Sequence, residues 1–292
     1  MTLAAGARAQ ELEPRAFSPS PVGTNFVAVS VGTLRGEILF DPTLPITDVD
    51  ARIGIAALGY GRTFGLAGRQ ALVTIAIPYA VAHVEGMVAE QARSVHRDGL
   101  ADVRVKASWN LVGVRAMTPA EFAKAPRRTI FGVSLTIQAP TGQYDRTKLI
   151  NIGTHRWAVK PEVGVSVPVK RWSFDVYAGA WFFTDNDAFY PGSSVKSQDP
   201  LTSLQGHVSY TFKSRAWIAV DGTWYGGGEV TIDENPPSTR FSNTRFGATV
   251  SIPVAKRHAV KLAASTGTSA RTGTDFDSYL IGWQMTWFDR GP

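Results

Sequence analysis

Cysteine is absent from the 292-residue sequence, which excludes disulfide bonds and thiolate metal sites. Apolar runs of the roughly 18 residues that a membrane-spanning helix needs are absent as well. The longest apolar stretch, residues 71–82, contains Thr74 and Pro78 and is more typical of a strand. The five histidines include no pair with metal-ligand spacing. The sequence therefore indicates no metal site, no cofactor and no helical membrane span.

A concentrated basic region is also lacking. The net charge is +6 and the isoelectric point is about 9.6, yet the basic residues are spread along the chain, usually beside acidic ones. Proteins that bind nucleic acids carry their basic residues in clusters. No nucleic-acid partner is therefore predicted, while a weak preference for anionic solutes stays open.

What the sequence contains in abundance is a two-residue periodicity, which is clearest at residues 157–167. Successive side chains of a strand point to opposite faces, so alternate residues share a face. One face of this stretch carries polar and charged residues, including Lys160 and Glu162. The other face is apolar along its whole length and consists of Trp157, Val159, Pro161, Val163, Val165 and Val167.

Such strands recur about twelve times, and the sequence shows no clear helix that could cover their apolar faces. Lipid is the economical cover when a sheet closes on itself with its polar face inside. The mean hydropathy of -0.05 agrees, because lipid-facing and interior-facing residues cancel in the average. We therefore predict an all-β fold, a single closed antiparallel up-and-down transmembrane barrel of about 12 strands, over residues 24–288. Residues 289–292 form a C-terminal tail in this interpretation.

Long polar connections alternate with short ones along the predicted barrel. Residues 85–99, 185–200 and 226–241 are long polar loops, and residues 114–127 contain a helix start at Thr118-Pro119. Outer-membrane barrels have short periplasmic turns and longer outer loops. An even number of strands then places both termini in the periplasm, with the barrel in the bacterial outer membrane.

The N-terminal region is interpreted as residues outside the barrel. Ala7-Arg8-Ala9 resembles the cleavage site of a secretory signal, although residues 1–6 are too short to provide the rest of one. Residues 10–23 have Pro-rich turn chemistry and are typical of an irregular extension. We therefore assign residues 1–23 to a residual signal and an N-terminal extension.

Charged residues on the polar faces are the first candidates for function. Inside a barrel such side chains must be solvated or paired, so they form either a structural network or an element that selects solutes by charge. About twelve strands lie between the ~8 that side chains can fill and the 16–18 of an open porin, so a narrow or plugged lumen is expected. The candidates are Asp102, Arg104, Lys106, Arg156, Lys160, Glu162, Asp221, Arg245 and Lys261.

Aromatic residues gather near the predicted strand ends. Amphipathic rings favour the headgroup level of a membrane, so these residues are interpreted as girdles rather than as a stacking platform. The predicted membrane-interface residues are Trp157, Trp172, Trp181, Trp224, Trp283, Trp287 and Phe288.

His207 and Ser209 share the polar face of one strand. A histidine base and a serine nucleophile would fit an outer-membrane lipid hydrolase. Such a site has to reach lipid, however, and Val208 occupies the apolar side of this strand. A hydrolase is therefore an alternative to a channel, as is a structural or adhesive barrel that acts through its outer loops.

Three short motifs carry a family resemblance. They are Gly99-Leu100-Ala101-Asp102, the Pro-Thr-Gly at residues 140–142, and NIGTHRW at residues 151–157. Their order and spacing resemble the outer-membrane family labelled "MetA-pathway of phenol degradation", with Ala101 where that family has glycine. The similarity spans about residues 20–288.

This resemblance implies an outer-membrane barrel that passes small, hydrophobic or aromatic molecules. The expected function is therefore that of a passive channel or uptake protein. Its predicted partners are the surrounding membrane lipid and a small-molecule solute.

Overall fold

The computed structural model describes residues 12–39, 46–88, 91–233, 235, 240–269 and 273–289. The cleavage-site motif at residues 7–9 and most of the predicted C-terminal tail lie outside these residues. Extended strands dominate the described chain. They are β1 (Thr24–Leu39), β2 (Ile46–Leu66), β3 (Arg69–Val88), β4 (Gln91–Leu100), β5 (Arg104–Val112), β6 (Ile130–Gln138), β7 (Ala158–Val169), β8 (Trp172–Phe183), β9 (Asn186–Phe189), β10 (Ser194–Gln198), β11 (Leu201–Thr211), β12 (Trp217–Gly227), β13 (Val230–Ile232), β14 (Phe241–Ala255), β15 (His258–Ser269) and β16 (Gly273–Phe288).

Twelve of the described strands form one closed antiparallel barrel. Their order is β1, β2, β3, β5, β6, β7, β8, β11, β12, β14, β15 and β16. The last strand pairs with the first, with Thr24 opposite Phe288. Every pairing is between chain neighbours in this order, so the barrel is up-and-down and the predicted fold is confirmed.

Strand β4 corrects the prediction of a polar loop at residues 85–99. It pairs with the far half of β3, with Val84 opposite Val95, and β5 pairs with the near half. Strands β4 and β5 thus form one long strand that is interrupted at residues 101–103. Strand β5 accordingly begins only at Arg104, because Asp102 forms hydrogen bonds with a loop instead.

The long connections at the end opposite the termini contain further structure. Strands β9, β10 and β13 form a three-stranded sheet within the connections that were predicted as the loops 185–200 and 226–241. At the other end, Lys170 and Arg171 make a two-residue turn between β7 and β8. The predicted contrast is therefore present at these connections, with one exception: the connection between β5 and β6, residues 113–129, is long and lies at the short-turn end.

A single helical turn, α1 (Pro119–Phe122), follows the predicted Thr118-Pro119 start. The Glu121 amide donates to the Thr118 hydroxyl at 3.4 Å, and the Thr118 amide donates to the Glu121 carboxylate at 2.8 Å. This reciprocal pair satisfies amides that the first turn of a helix leaves free. No helix in the described chain is long and apolar enough to cross a membrane.

Side chains alternate between the barrel wall's two faces. In β7, Lys160 and Glu162 are buried inside, whereas Val163 and Val165 on the outer face are 46% and 39% exposed. Large exposed apolar side chains continue around the outer wall on the other strands. Lipid is the solvent that such an apolar outer band fits.

Candidate functional site: the barrel interior

Residues 12–23, here called the N-terminal segment, lie inside the barrel and are held by its inner wall. The Val22 amide donates to the Met117 carbonyl at 2.8 Å, and the Ser20 amide donates to the Gln70 side chain at 3.0 Å. Further along, the Ala16 amide donates to the Tyr177 hydroxyl at 3.1 Å. These contacts lie at the short-turn end of the barrel, so the segment crosses the lumen there.

Phe17 is the apolar anchor of the N-terminal segment. Its ring is 2% exposed and meets the Tyr177 ring edge-on at a centroid distance of 5.2 Å. It lies over Gly132 and Gly164, which are cross-strand partners on β6 and β7. A Cβ on either glycine would come within 2.4 Å or 2.3 Å of the Phe17 ring. The two glycines therefore form a seat that only a wall without side chains can provide.

Arg15 is the polar anchor of the same segment. Its Nε donates to the Ser209 hydroxyl at 2.9 Å, and its Nη2 donates to the Thr211 hydroxyl at 2.5 Å. The guanidinium also lies 4.8 Å from the ring centroid of Trp217, within the range of a cation–π contact. Arg15 thus connects the segment to β11 and β12, across the lumen from the strands that hold Ser20.

Glu13 joins the segment to a chain of paired charges. Its carboxylate forms an ion pair with Lys106, whose Nζ is also 3.5 Å from the Glu162 carboxylate. Glu162 in turn lies 2.7 Å from the Lys160 ammonium. The Lys106 ammonium, with Lys160 and Lys261 beyond it, lowers the pKa of Glu13 to about 2. Three of the predicted lumen charges are therefore part of one alternating network that includes the segment.

At the opposite end of the lumen, the connection between β6 and β7 packs apolar side chains against the inner wall. Ile152, in the connection between β6 and β7, is 3% exposed. It belongs to a buried cluster with Ile53, Ala82 and Phe276 on the inner faces of the neighbouring strands. The Arg97 guanidinium donates to the Ile150 carbonyl at 3.0 Å and holds the connection from the side. Residues 139–157, here called the β6–β7 loop, thus fold inward over the barrel.

Asp102 organises the β6–β7 loop. Its carboxylate accepts hydrogen bonds from the Gly142 amide at 2.9 Å, the Thr154 hydroxyl at 2.5 Å and amide at 3.2 Å, and the Gln138 side chain at 2.6 Å. Gly142 and Gly153 approach so closely that a Cβ on Gly153 would lie 2.5 Å from the Gly142 backbone. The three motifs of the family resemblance therefore meet at a single buried carboxylate. Both carboxylate oxygens of Asp102 accept hydrogen bonds from neighbouring residues. A role for Asp102 in solute selectivity stays a prediction.

The remaining predicted lumen charges are distributed along the wall. Arg156 contacts Gln198 and lies 4.3 Å from the Phe183 ring centroid. Arg104 on β5 donates to Gln138 at 3.3 Å, and Arg245 on β14 donates to Ser265 at 2.6 Å. Lys261 on β15 lies 5.9 Å from the Trp217 ring centroid.

Asp221, the last of the predicted lumen charges, is in contact with His207. The His207 Nδ1 lies 2.7 Å from the Asp221 carboxylate, and both side chains are buried on the inner face. The Ser209 hydroxyl accepts from Arg15, while His207 Nε2 has no hydrogen-bond partner in the described structure. The histidine and serine of the hydrolase alternative are therefore not hydrogen-bonded to each other, and both lie away from lipid.

Most of the predicted girdle aromatics lie on the outer face. Trp157 and Trp224 are near the long-loop end, whereas Trp172 and Trp283 are near the short-turn end, and all four are at least 38% exposed. Trp287 is partly exposed, and Phe288 is 41% exposed.

Trp181 is a correction to the predicted girdle. It is 1% exposed and packs inside the barrel with Leu201 and Tyr225. Its position in β8 has the same parity as the inward-facing Asp175 and Tyr177, so the two-residue period places it inside.

Sequence reasoning missed the N-terminal segment as part of the interior. The segment has no period that would locate it, and Gly132 and Gly164 become a seat only once the strands are in register. Within the described part of the chain, no group of three His, Cys, Asp or Glu side chains is arranged to hold a metal ion.

Solved structures share the barrel architecture. An outer membrane channel from Pseudomonas putida F1 is 18% identical, with a TM-score of 0.78 over 95% of this chain and 100% of that chain. The β domain of the Bordetella autotransporter BrkA is 12% identical, with a TM-score of 0.56 over 90% of this chain and 100% of that one. The transport unit of the Escherichia coli autotransporter AIDA-I is 10% identical, with a TM-score of 0.56 over 97% and 96%.

No curated protein matches the sequence. The model of one family, described as "MetA-pathway of phenol degradation", matches residues 24–281, which is nearly the whole barrel. Since that match covers far more than half of the chain, this protein belongs to that family.

Proposed function

We propose that this protein is an outer-membrane channel for the passive passage of small molecules, including hydrophobic and aromatic ones. Its termini face the periplasm, and the N-terminal segment closes the periplasmic end of the lumen in the resting state. No energy source or cofactor takes part, so net movement follows the solute gradient.

One observation carries this proposal: a closed barrel encloses a polar interior into which two non-strand segments fold. Twelve strands surround more space than the ~8 that wall side chains can fill alone. The space is occupied by the N-terminal segment and the β6–β7 loop, which are attached by side-chain contacts and hydrogen bonds. The N-terminal segment, which is attached in this way, can leave without breaking the backbone hydrogen bonds between the barrel strands.

The chemistry of the interior favours uncharged solutes. Glu13 and Glu162 balance the charges of Lys106 and Lys160 while the segment is docked, so this network presents little net field to an ion at the entrance. At the long-loop end the inner wall is apolar, with Ile53 and Ala82 in the cluster that receives the β6–β7 loop. A neutral or hydrophobic molecule loses little hydration there, whereas a bare ion would lose much.

The likeness to solved barrels agrees with this proposal. The Pseudomonas putida protein is an outer membrane channel, and the AIDA-I protein is the transport unit of an autotransporter. For this chain, a channel function is supported by the shared barrel fold together with the polar interior described above.

Liposome swelling tests the proposal. The full chain is reconstituted into liposomes, which are then diluted into isosmotic solutions of small neutral solutes. We expect swelling above that of empty liposomes, and faster swelling for a Phe17→Ala variant, whose segment is less firmly anchored. Swelling of both proteins at the rate of empty liposomes would refute a channel.

The orientation is tested separately with single cysteines, because the natural chain has none. Ser214→Cys lies in the short connection after β11, and Asp145→Cys lies in the β6–β7 loop at the other end. In intact cells a membrane-impermeant maleimide should label residue 145 and spare residue 214. The reverse labelling would overturn the periplasmic placement of the termini.

A further inference from the structure

The inner wall of β8, β11 and β12 carries six inward-facing residues, here called the acceptor patch. The strand register places them in two adjacent rows of three. The rows are Tyr177, Gln205 and Thr223, and then Asp175, His207 and Asp221. Directly paired side chains on neighbouring strands have their Cβ atoms about 4.5–5.5 Å apart, so the patch is compact.

Four polar atoms of the acceptor patch have no hydrogen-bond partner among the described residues. They are Asp175 Oδ2, Gln205 Oε1, His207 Nε2 and Thr223 Oγ1. All four residues are at most 5% exposed. Buried polar atoms in folded proteins nearly always have a partner, so four such atoms on adjacent positions indicate a missing one.

The other polar atoms of these side chains are already occupied. Ser173 donates to Asp175 Oδ1 at 3.2 Å, and Gln205 Nε2 donates to the Glu162 carboxylate at 3.4 Å. His207 directs Nδ1 at the Asp221 carboxylate, which can only accept, so Nδ1 carries the proton. In the neutral ring Nε2 is then an acceptor. The patch therefore offers three acceptors, namely a carboxylate, an amide oxygen and a ring nitrogen, together with the Thr223 hydroxyl, which can also donate.

The N-terminal segment covers the acceptor patch without supplying those donors. The Ala16 amide donates to the Tyr177 hydroxyl at 3.1 Å. Arg15 donates to the hydroxyl of Ser209, the inward-facing residue that follows His207 on β11. The Phe17 ring rests against Tyr177. When the segment leaves, the patch and the Tyr177 ring become part of the wall that a solute meets.

We propose that the acceptor patch binds the hydroxyl group of a small neutral solute whose apolar body lies against Tyr177. This inference rests on the proposed channel function. A hydroxyl donates to Gln205 or Asp175 and accepts from Thr223, so it fits a patch with mixed demand. An ammonium group only donates, and it would lose its hydration near the Lys160 ammonium on the adjoining strand.

Binding of cyclohexanol and cyclohexanone tests the proposal, because the two molecules share a body and only the alcohol donates. Dissociation constants are measured by ligand-observed NMR on the full chain in detergent, with empty micelles as the blank. We expect the alcohol to bind about tenfold more tightly, the factor that one or two net hydrogen bonds provide. The measurement is repeated in the Phe17→Ala variant, in which the patch is uncovered more often and the apparent affinity should rise.

The variants assign the preference to named atoms. Asp175→Asn keeps the shape of the side chain and places a donor where the free acceptor was, and Gln205→Leu removes the amide oxygen. In each of these two variants, the affinities for cyclohexanol and cyclohexanone should differ by no more than about twofold. Ser203→Ala is the matched control, since Ser203 lies on the same inner face of β11 and its hydroxyl donates to the Gly179 carbonyl instead. It should keep the full preference.

Several outcomes would overturn the patch. Equal affinities for alcohol and ketone in the wild type and in Phe17→Ala would mean that water satisfies these atoms. Tighter binding of cyclohexylammonium than of cyclohexanol would exclude a neutral ligand. A preference that survives Asp175→Asn and Gln205→Leu would place the site elsewhere.

Liposome flux separates this proposal from the channel itself. Equal flux and equal binding of the alcohol and the ketone would refute the acceptor patch and leave the channel proposal standing. A clear binding preference without flux of either molecule would refute the channel and leave the acceptor patch standing.

Discussion

Each end of the lumen contains a segment that lies outside the barrel ladder, and the two segments are held in different ways. At the long-loop end, the β6–β7 loop is attached to the buried Asp102 carboxylate by three hydrogen bonds and packs Ile152 into an apolar cluster. At the short-turn end, the N-terminal segment is held by the Phe17 ring, by hydrogen bonds such as those of Arg15, and by the Glu13–Lys106 ion pair, all at the edge of a polar lumen.

This difference indicates which end can open. Removing the β6–β7 loop from Asp102 would leave a buried carboxylate and several donors without partners, which is strongly unfavourable. Removing the N-terminal segment frees hydroxyl and charged groups that water can solvate again. We therefore regard the loop as a permanent part of the fold and the segment as a removable closure.

The largest effect is expected from Asp102→Ala. The loss of a buried acceptor for four hydrogen bonds should cost about 3–5 kcal/mol in the free energy of unfolding. Urea unfolding of the reconstituted barrel measures this cost. Asp98→Ala is the control, because Asp98 is exposed and accepts from the Tyr79 hydroxyl at the surface. Equal losses in the two variants would show that Asp102 does not organise the loop.

The next effect is expected from Phe17→Ala at the other end. Truncating a buried aromatic residue costs about 3–5 kcal/mol, which corresponds to at least about a hundredfold more undocked segment. Trypsin cleavage after Arg15, followed by mass spectrometry, should be faster by a similar factor. Phe131→Ala, on the lipid-facing side next to Gly132, should leave the cleavage rate unchanged. An unchanged rate in Phe17→Ala would mean that the ring does not anchor the segment.

Gly132→Ala sharpens the comparison by changing the seat rather than the ring. Its Cβ would lie 2.4 Å from the Phe17 ring, so the ring has to move and cleavage after Arg15 should rise about tenfold. In a Phe17→Ala background the same substitution should have little further effect, because the clash is gone. Additive effects in the double variant would contradict the seat.

The smallest effect is expected from pH. Lys106 holds the pKa of Glu13 at about 2, below the ordinary value of 4.5. The ion pair therefore supports docking above pH 4.5, and this support is lost as the pH falls from 4.5 toward 2. Liposome swelling should be faster at pH 3 than at pH 6. Glu13→Gln should reduce that difference, and an undiminished difference would exclude Glu13 as the group responsible.

The barrel could be predicted from the sequence because lipid and lumen impose opposite demands on alternate residues. The period in β7, with Lys160 inside and Val163 outside, is repeated in strand after strand. The two-residue period also predicts the inward position of Trp181, because Trp181 alternates in step with Tyr177. Its assignment to the girdle rests on residue type alone. Strand β4 was missed because its polar outer face was interpreted as a loop.

The interior could be predicted only in part. The charged residues of the inner wall follow from the period, but their partners depend on which strands adjoin. Glu13 and Lys106, for example, are far apart in the chain and meet only because the N-terminal segment folds into the lumen. The motifs around residues 99, 140 and 151 indicated a family, while their physical purpose, a loop built on Asp102, became visible only in the structure.

Single-channel recording in planar bilayers tests the central claim most directly, namely that the N-terminal segment is the removable closure of a passive pore. The wild type should remain mostly closed with brief openings, and Phe17→Ala should stay open at the same unit conductance. Indistinguishable records from the two proteins, or a wild type that is already fully open, would contradict the claim.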